Sequence, residues 1–481
     1  MTAPEVKEAP TKERRTIPIV AVPEEAASLY VSERKVYPRS IKGVFASWRW
    51  AMVFVTQLVF YGMPWIDWGE RQMVLFDLAA RRFYVFGLVL YPQDFIYLTG
   101  LLVVSALALF LFTAVAGRLW CGFTCPQTVY SEMFLWIEAK IEGERGARMR
   151  LDGEAASAEK LVKKTFKHIL WLGLSLWTGF TFVGYFTPIR ELGMQFLQTQ
   201  MGSWNVFWSL FYGFATYGNA GFMREQVCKY MCPYARFQSA MFDRDTLIVG
   251  YDAARGDVPG PRARGVDARA LGLGDCTDCG LCVQVCPVGI DIRNGLQYEC
   301  IGCGLCVDAC NSVMDKMHYP RGLIRFSTQN AIAGGWSTAQ IRRRMRRPRV
   351  LIYTSVFLLL ACAMLVTLSL RVPLKVDVVR DRGALSRIAP GGRLENVFRL
   401  QIMNATETAQ AYVIGASGLP GLSVQPQDDI VVAPTASRWV VVTLQIPYGS
   451  ATPGSHPVTF EIMTTDGAAH VSEKSVFLVP R

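Results

Sequence analysis

Apolar residues are not spread evenly along this chain. They gather in five runs, near 48–66, 94–117, 168–188, 203–224 and 350–370. Each is close to the roughly 20 residues that a bilayer-spanning helix needs. The first reads WRWAMVFVTQLVFYGMPWI and the second FIYLTGLLVVSALALFLFTAVAG. Trp48, Trp50, Trp65, Tyr97, Trp120, Trp171 and Trp204 stand at or near run ends, where amphipathic rings meet the membrane–water interface. Beyond about 375 the period changes. NVFRLQIMN, AYVIGA, WVVVTLQI, HPVTFEIMT and KSVFLVP alternate apolar and polar residues between turn signals. That pattern predicts an all-β sandwich of immunoglobulin type. The NAT triplet at 404 matches a glycosylation sequon, a match that arises often by chance.

Charge then orients the runs. Of 481 residues, 51% are hydrophobic and 19% charged, and the net charge is +11. The basic residues cluster. Nine Lys or Arg precede residue 50, eight lie in 138–168, and six lie in RRRMRRPR, 342–349. The 189–202 loop has Arg190 alone, and 67–93 has Arg71, Arg81 and Arg82. By the positive-inside rule, the N-terminus, the 118–167 loop and the 225–349 region are expected in the cytoplasm and the tail outside. A polar start without an early apolar stretch gives no sign of a cleavable leader, so the first helix is expected to serve as an anchor. No nucleic-acid motif accompanies the positive charge, and no nucleic-acid partner is expected.

Cysteines bring the chemistry. There are 13; 12 fall in motifs, Cys362 stands alone, and none follows residue 370. That is the usage of reduced thiols held as metal ligands, not of a disulfide framework. CTDCGLCVQVCP, 276–287, is the bacterial 4Fe-4S spacing, and CIGCGLCVDAC, 300–310, repeats it with Asn311 in place of proline. Three thiolates on a tight turn cover three corners of a cubane, and the fourth comes from the other motif. Cys276, Cys279, Cys282 and Cys310 should therefore hold one cluster. Cys300, Cys303, Cys306 and Cys286 should hold the second. Zinc also uses CxxC pairs, but it needs four thiolates, and eight at this doubled spacing exceed that.

CGFTCP, 121–126, and CKYMCP, 228–233, each follow an apolar run and suggest a parallel internal repeat with both thiol pairs at one membrane surface. On a continuous helix, Cys121 and Cys125 share a face, as do Cys228 and Cys232. Arg118, Arg224, Lys229 and Arg236 lie nearby in sequence and would favour thiolates. One such pair reads as packing; two matching pairs read as a redox or soft-metal site. Soft thiolates suit Cu(I), zinc or iron–sulfur iron, and spacing does not choose among these. His168, His318, Met223, Met231 and Cys362 read as packing or surface residues. There is no dinucleotide or nucleotide fingerprint.

The expected fold is a polytopic α-helical membrane protein with five transmembrane helices, an inserted bacterial-type two-cluster ferredoxin domain and a C-terminal immunoglobulin-like sandwich. Its segments are 1–46, a polar cytoplasmic start; 47–240, a four-helix core with both CxxxCP motifs; 241–348, the ferredoxin region; 349–371, the fifth helix; and 372–481, the periplasmic domain. From about 35 to 481 this combination resembles the accessory proteins of cbb(3)-type cytochrome c oxidase, the CcoG/FixG/RdxA family. The resemblance implies a multi-pass protein of the bacterial inner membrane that reduces Cu(II) to Cu(I) during oxidase assembly. It implies that Cys121, Cys125, Cys228 and Cys232 are the catalytic, copper-binding residues. The implied partners are membrane lipid, a cytoplasmic electron donor or a quinol, copper ions or copper chaperones and transporters, and oxidase assembly factors. Two other readings stay open: a NapH-like quinol dehydrogenase subunit, although that group lacks the fifth helix and β tail, and a non-enzymatic copper-binding scaffold.

Overall fold

Five long helices occupy the five apolar runs in the computed structural model, which describes residues 35–480 apart from Gly265, Arg382, Ala384 and Gln427. Most of the expected 1–46 segment lies outside the described residues. Helix α1 is Val44–Gly62, α2 is Phe95–Ala116, α6 is Ala158–Val183 and α8 is Ser203–Gly221; the last is Pro348–Ser369. Between them lie α3 (Leu119–Phe123), α4 (Pro126–Glu142), α5 (Arg145–Gly153) and α7 (Ile189–Leu197). Among the described residues, three segments are long and apolar enough to cross a membrane: Val44–Trp65, Pro92–Ala116 and Pro348–Ser369. Helices α6 and α8 fall outside that class because their composition is less apolar: α6 begins in Lys and His, and α8 is rich in Trp, Tyr, Gly and Asn. Ser175, Thr178 and Thr181 on α6 are buried. A Cβ on Gly179 would lie 2.7 Å from the Gly213 nitrogen, so glycines set this close helix crossing. Helix α6 also starts earlier than its apolar run. Its N-cap Ser157 accepts from the Lys160 amide, and the basic stretch AEKLVKKTFK is helical rather than loop.

At one end of the bundle the 67–93 connection is built as sheet. Asp67–Trp68 pairs with Arg71–Gln72, and Val74–Asp77, Arg82–Val85 and Leu88–Leu90 form a three-stranded antiparallel sheet. It docks on the C-terminal domain through a buried cluster of Leu75, Tyr84, Val89 and Tyr91 with Met403 and Ala405. The Tyr91 hydroxyl reaches the carbonyls of Asn404 and Thr435, each at 3.0 Å. Arg371, just past the last helix, pairs with the buried carboxylate of Asp94 just before α2.

The tail folds as two antiparallel sheets. One runs Ser423–Gln425, Ser437–Pro447, Arg393–Asn404, Leu374–Arg380, with Arg387–Ala389 also on Arg393–Asn404. The other runs Ile430–Val432, Gln410–Ser417, Gly454–Thr464, His470–Val479. Alternate residues face inward, as the period-2 pattern requires. Phe398 and Phe460 meet across the core with ring centroids 5.0 Å apart. Asn404 is fully buried, and its amide donates to the Thr408 carbonyl at 2.8 Å. The sequon is therefore a structural turn and not a glycan acceptor.

At the other end, residues from 37 onward lie against the ferredoxin region. The Arg39 amide donates to the Gln284 carbonyl at 2.8 Å. Asp308 accepts from the Ala46 amide at 2.9 Å, placing a carboxylate at the start of α1 where the helix dipole favours it. Buried ion pairs tie α4, α5 and α6 together: Lys167 and Lys164 to Glu142 at 2.8 and 2.9 Å, and Arg148 to Glu138 at 3.7 Å. Within the ferredoxin region, Ile248–Tyr251 pairs antiparallel with Ile324–Ser327.

Candidate metal centres

The eight ferredoxin cysteines surround two adjoining cavities. Cys276, Cys279, Cys282 and Cys310 line the first. Cys286, Cys300, Cys303 and Cys306 line the second, and Cys282 borders it too. The Leu305–Met317 helix carries Cys306 and Cys310 one turn apart, so it sends one sulfur to each cavity. Gly280 (φ 63°) and Gly304 (φ 74°) are left-handed, a conformation that lets each CxxC wrap before its helix begins. Pro287 and Asn311 now have distinct effects. The helix before Pro287 stops at Gln284, whereas the helix through Asn311 continues to Met317. The Asn311 side chain accepts from the Gly322 amide at 3.0 Å instead. Val249, Ile290, Ile292 and Ile301 wall the second cavity. Burial pushes the free thiols up: Cys282 to about 11, Cys300 and Cys310 to about 12. Among the described residues, no three His, Cys, Asp or Glu side chains are grouped to hold a single metal ion. The thiols stand around cavities rather than a point, as a cubane requires and a mononuclear zinc site does not.

The CxxxCP pairs do not ride one continuous helix. Cys121 lies in α3, but Cys125 is extended (φ −58°, ψ 129°) and is the N-cap residue of α4, which opens at Pro126. Cys228 lies in a π-turn, Val227–Met231, and Cys232 precedes the Pro233–Met241 helix. Proline disfavours the α conformation for the residue before it, and each second cysteine takes extended backbone at the helix break. The shared-face expectation is corrected accordingly. The turns set the four cysteines near enough for their charges to interact, although among the described residues no three of them are grouped to hold one metal ion. The charge on Cys121 is felt by Cys125, Cys228 and Cys232, and Cys125 is likewise coupled to Cys232. Burial, then the neighbouring sulfurs, raise Cys121 to about 12; burial lifts Cys228 to about 12 as well. Backbone amides of Gln127 and Thr128 hydrogen-bond the Cys125 sulfur and oppose its rise.

The basic residues expected to favour thiolates do less than sequence proximity suggests. Arg118 opposes the rise at Cys121 and Cys228 without overcoming burial, and its guanidinium binds the carbonyls of Tyr298 and Ala235. Arg224 is committed to Glu138 at 2.7 Å and to the face of Trp171. Residues the sequence did not single out hold the quartet. The Cys121 thiol donates to the fully buried Gln238 at 3.3 Å, and Gln238 donates to Thr113 at 3.3 Å. Gln127 donates to the Asn219 and Arg224 carbonyls, tying the first motif to the stretch before the second. His168 is a packing residue, bonded to Tyr217 at 2.9 Å and stacked on Phe222. Cys362 is exposed on its helix rather than packed within the bundle.

The quartet abuts the second cavity. A Cβ on Gly122, between Cys121 and Cys125, would lie 2.8 Å from Cys303 Cα and 2.9 Å from the carbonyl carbon of Gly302. Cys121 and Cys228 pack on the same buried cluster as Cys286, Cys303 and Cys306. A helical membrane core, two cysteine-lined ferredoxin cavities and a second cysteine turn packed on one of them fit a membrane iron–sulfur redox protein.

Similarity to known proteins narrows that class. The profile of a 4Fe-4S dicluster domain matches residues 223–329, that of a 4Fe-4S binding domain matches 98–143, and that of the Ig-like fold at the C-terminus of FixG matches 364–480. The nitrogen fixation protein FixG of Rhizobium meliloti is 37% identical over 430 residues, covering 82% of each chain. Protein RdxA of Cereibacter sphaeroides is 36% identical over 436 residues, covering 88% of this chain and 91% of its own. A crystal structure of a FixG-related protein from Vibrio parahaemolyticus matches 22% of this chain and 95% of its own at 23% identity and a TM-score of 0.21. The chain belongs to the FixG/RdxA family.

Proposed function

We propose that this protein is a Cu(II) reductase in which the CxxxCP quartet is the reducing site. The observation that carries the reading is the contact of Gly122 with the Cys303 loop, which seats the quartet against the second cradle. We assign Cys276, Cys279, Cys282 and Cys310 to one 4Fe-4S cluster and Cys286, Cys300, Cys303 and Cys306 to the other. When bound, such clusters supply one-electron transfer, which matches Cu(II) as a one-electron acceptor. Cys121, Cys125, Cys228 and Cys232 would receive copper as substrate, and soft thiolates favour the Cu(I) product. Gln238 and the Gln127 and Thr128 amides fix the sulfurs that do so.

The reading includes five membrane spans, with α6 and α8 crossing as a closely packed pair. It places the ferredoxin region in the cytoplasm and the sandwich outside a bacterial inner membrane. In support, the tail packs on the 67–93 connection, while Arg39 of the basic N-terminal segment and Arg344 and Arg347 of the 342–349 run bond to the 241–348 region. The segment boundaries given above are adopted on the same basis. The sandwich then presents its outer surface to oxidase assembly factors.

The test is anaerobic Cu(II) reduction by cluster-loaded Cys228→Ala/Cys232→Ala protein, reduced beforehand with dithionite and freed of the excess. Loss of reduction with full iron content supports the reading; undiminished reduction refutes it.

A further inference from the structure

We propose that the cavity between residues 38–41, helices α1 and α4 and the loop around Cys286 binds the headgroup of an anionic phospholipid, with Arg39 taking the phosphate. The proposal goes beyond the redox reading and does not depend on copper. The cavity holds about 140 Å³. Drug-sized sites run to roughly 300–1,000 Å³, so this space takes a headgroup and leaves acyl chains outside.

Charge selects the ligand. Arg39, Glu132 and Arg148 line the cavity. Glu132 is neutralised by Arg49 at 2.7 Å, and Arg148 is paired with the buried Glu138 at 3.7 Å. Arg39 has no ion pair among the described residues, so the lining is left with one positive charge. Its backbone is nonetheless fixed. The Arg39 amide donates to the Gln284 carbonyl at 2.8 Å. On either side, Arg145 donates to the Tyr37 carbonyl and the Ser40 hydroxyl donates to Glu144, each at 2.9 Å. A pinned backbone carrying a free guanidinium presents its N–H fork to a phosphate with little left to order. Lys140, over the Trp136 ring at 5.9 Å, adds a second cation on α4. A singly negative headgroup complements these charges. A choline or ethanolamine headgroup would bring its own cation against them.

Position selects a lipid over a soluble anion. The membrane-spanning segment of α1 starts at Val44, so Arg39 lies just before it and Trp50 lies roughly 9 Å inside it. Trp50 and Trp136 stand edge to face with centroids 6.3 Å apart, and Trp136 is half exposed, as rings of an interfacial belt are. Phe54, one turn farther along α1 and 5.9 Å from Trp50, is 68% exposed and continues the apolar track that an acyl chain follows. Basic pockets between membrane helices are recurrent sites for acidic headgroups. Here the lipid would join α1 and α4 to Val285 and Pro287, which flank Cys286, and so brace the second cradle against the bundle.

The test offers full-length, cluster-loaded protein in detergent equal amounts of phosphatidylglycerol and phosphatidylcholine with matched chains, and counts retained lipid by native mass spectrometry. Wild-type protein should retain about five-fold more phosphatidylglycerol or better. Arg39→Gln should bring the two lipids near parity at unchanged iron content, and Ala139→Leu, which fills the cavity, should do the same. Lys42→Gln removes a neighbouring exposed cation that does not line the cavity and should keep the preference. Equal retention by wild-type protein, an unchanged preference in folded Arg39→Gln protein, an equal loss in Lys42→Gln protein, or displacement of phosphatidylglycerol by inorganic phosphate would overturn the proposal. Cluster-loaded Cys228→Ala/Cys232→Ala protein should keep the preference, so this proposal and the copper reading fail separately.

Discussion

Replacing Gly122 with alanine tests the contact on which the redox reading stands. The new Cβ would sit 2.8 Å from Cys303 Cα and 2.9 Å from the Cys303 nitrogen. Carbon–carbon contacts are comfortable at about 3.5–4.0 Å, so the thiol turn and the cluster loop must part by about 0.7 Å. Both opposing atoms are backbone, so no rotamer change relieves the clash. Overpacking of this kind costs about 1–3 kcal/mol. Gly122 lies inside α3 at ordinary helical geometry, so alanine adds bulk without backbone strain. The variant should keep its iron, unfold at lower temperature and reduce Cu(II) roughly ten-fold or more slowly, since ångström misplacements are that costly. Gly146→Ala is the control. A Cβ there meets nothing within 4 Å, and stability should be unchanged or slightly raised. Wild-type copper reduction and unaltered unfolding in Gly122→Ala protein would refute the close-contact argument.

Other consequences are as direct. Asp308→Ala removes the carboxylate at the start of α1 and should lower stability by about 0.5–2 kcal/mol, read as faster proteolysis between the ferredoxin region and α1. Asn404→Asp removes the amide that donates to Thr408 and to the Val432 and Ala433 carbonyls; the sandwich should lose about 1–3 kcal/mol by thermal unfolding of the full chain. Metal removal should create a pH dependence. In the metal-free protein Cys282, Cys300 and Cys310 are raised from 9.0 to about 11, 12 and 12, so the fold prefers them protonated. Their contribution is whole below pH 9 and lost as pH rises through 11–12, because the unfolded chain ionises first. Unfolding measured from pH 8 upward should show that loss in metal-free protein and not in the cluster-loaded form.

Local signals carried much of this structure. The grouping of eight thiols around two cavities was legible because their spacing is that of a two-cluster ferredoxin, and the five helices because their apolar runs are long. The 67–93 sheet was not legible. Its strands are two to four residues long and owe their order to Met403 and Ala405, more than 300 positions away. The prolines at 126 and 233 mark the helix breaks, but only the fold shows that the two cysteine turns lie near each other and against the ferredoxin region. Gln238, Gln127 and Gly122 gave no signal in one sequence, since their roles depend on partners distant in the chain.

The central claim is that electrons held by the cluster region leave through the CxxxCP quartet to Cu(II). A single-turnover experiment tests it most directly. Fully reduced, cluster-loaded protein, freed of excess reductant, is mixed anaerobically with Cu(II), and the loss of the Cu(II) paramagnetic signal is counted. The account predicts about two Cu(I) formed per wild-type chain and almost none with Cys228→Ala/Cys232→Ala, at equal iron content. Equal Cu(I) yields from the two proteins would contradict it.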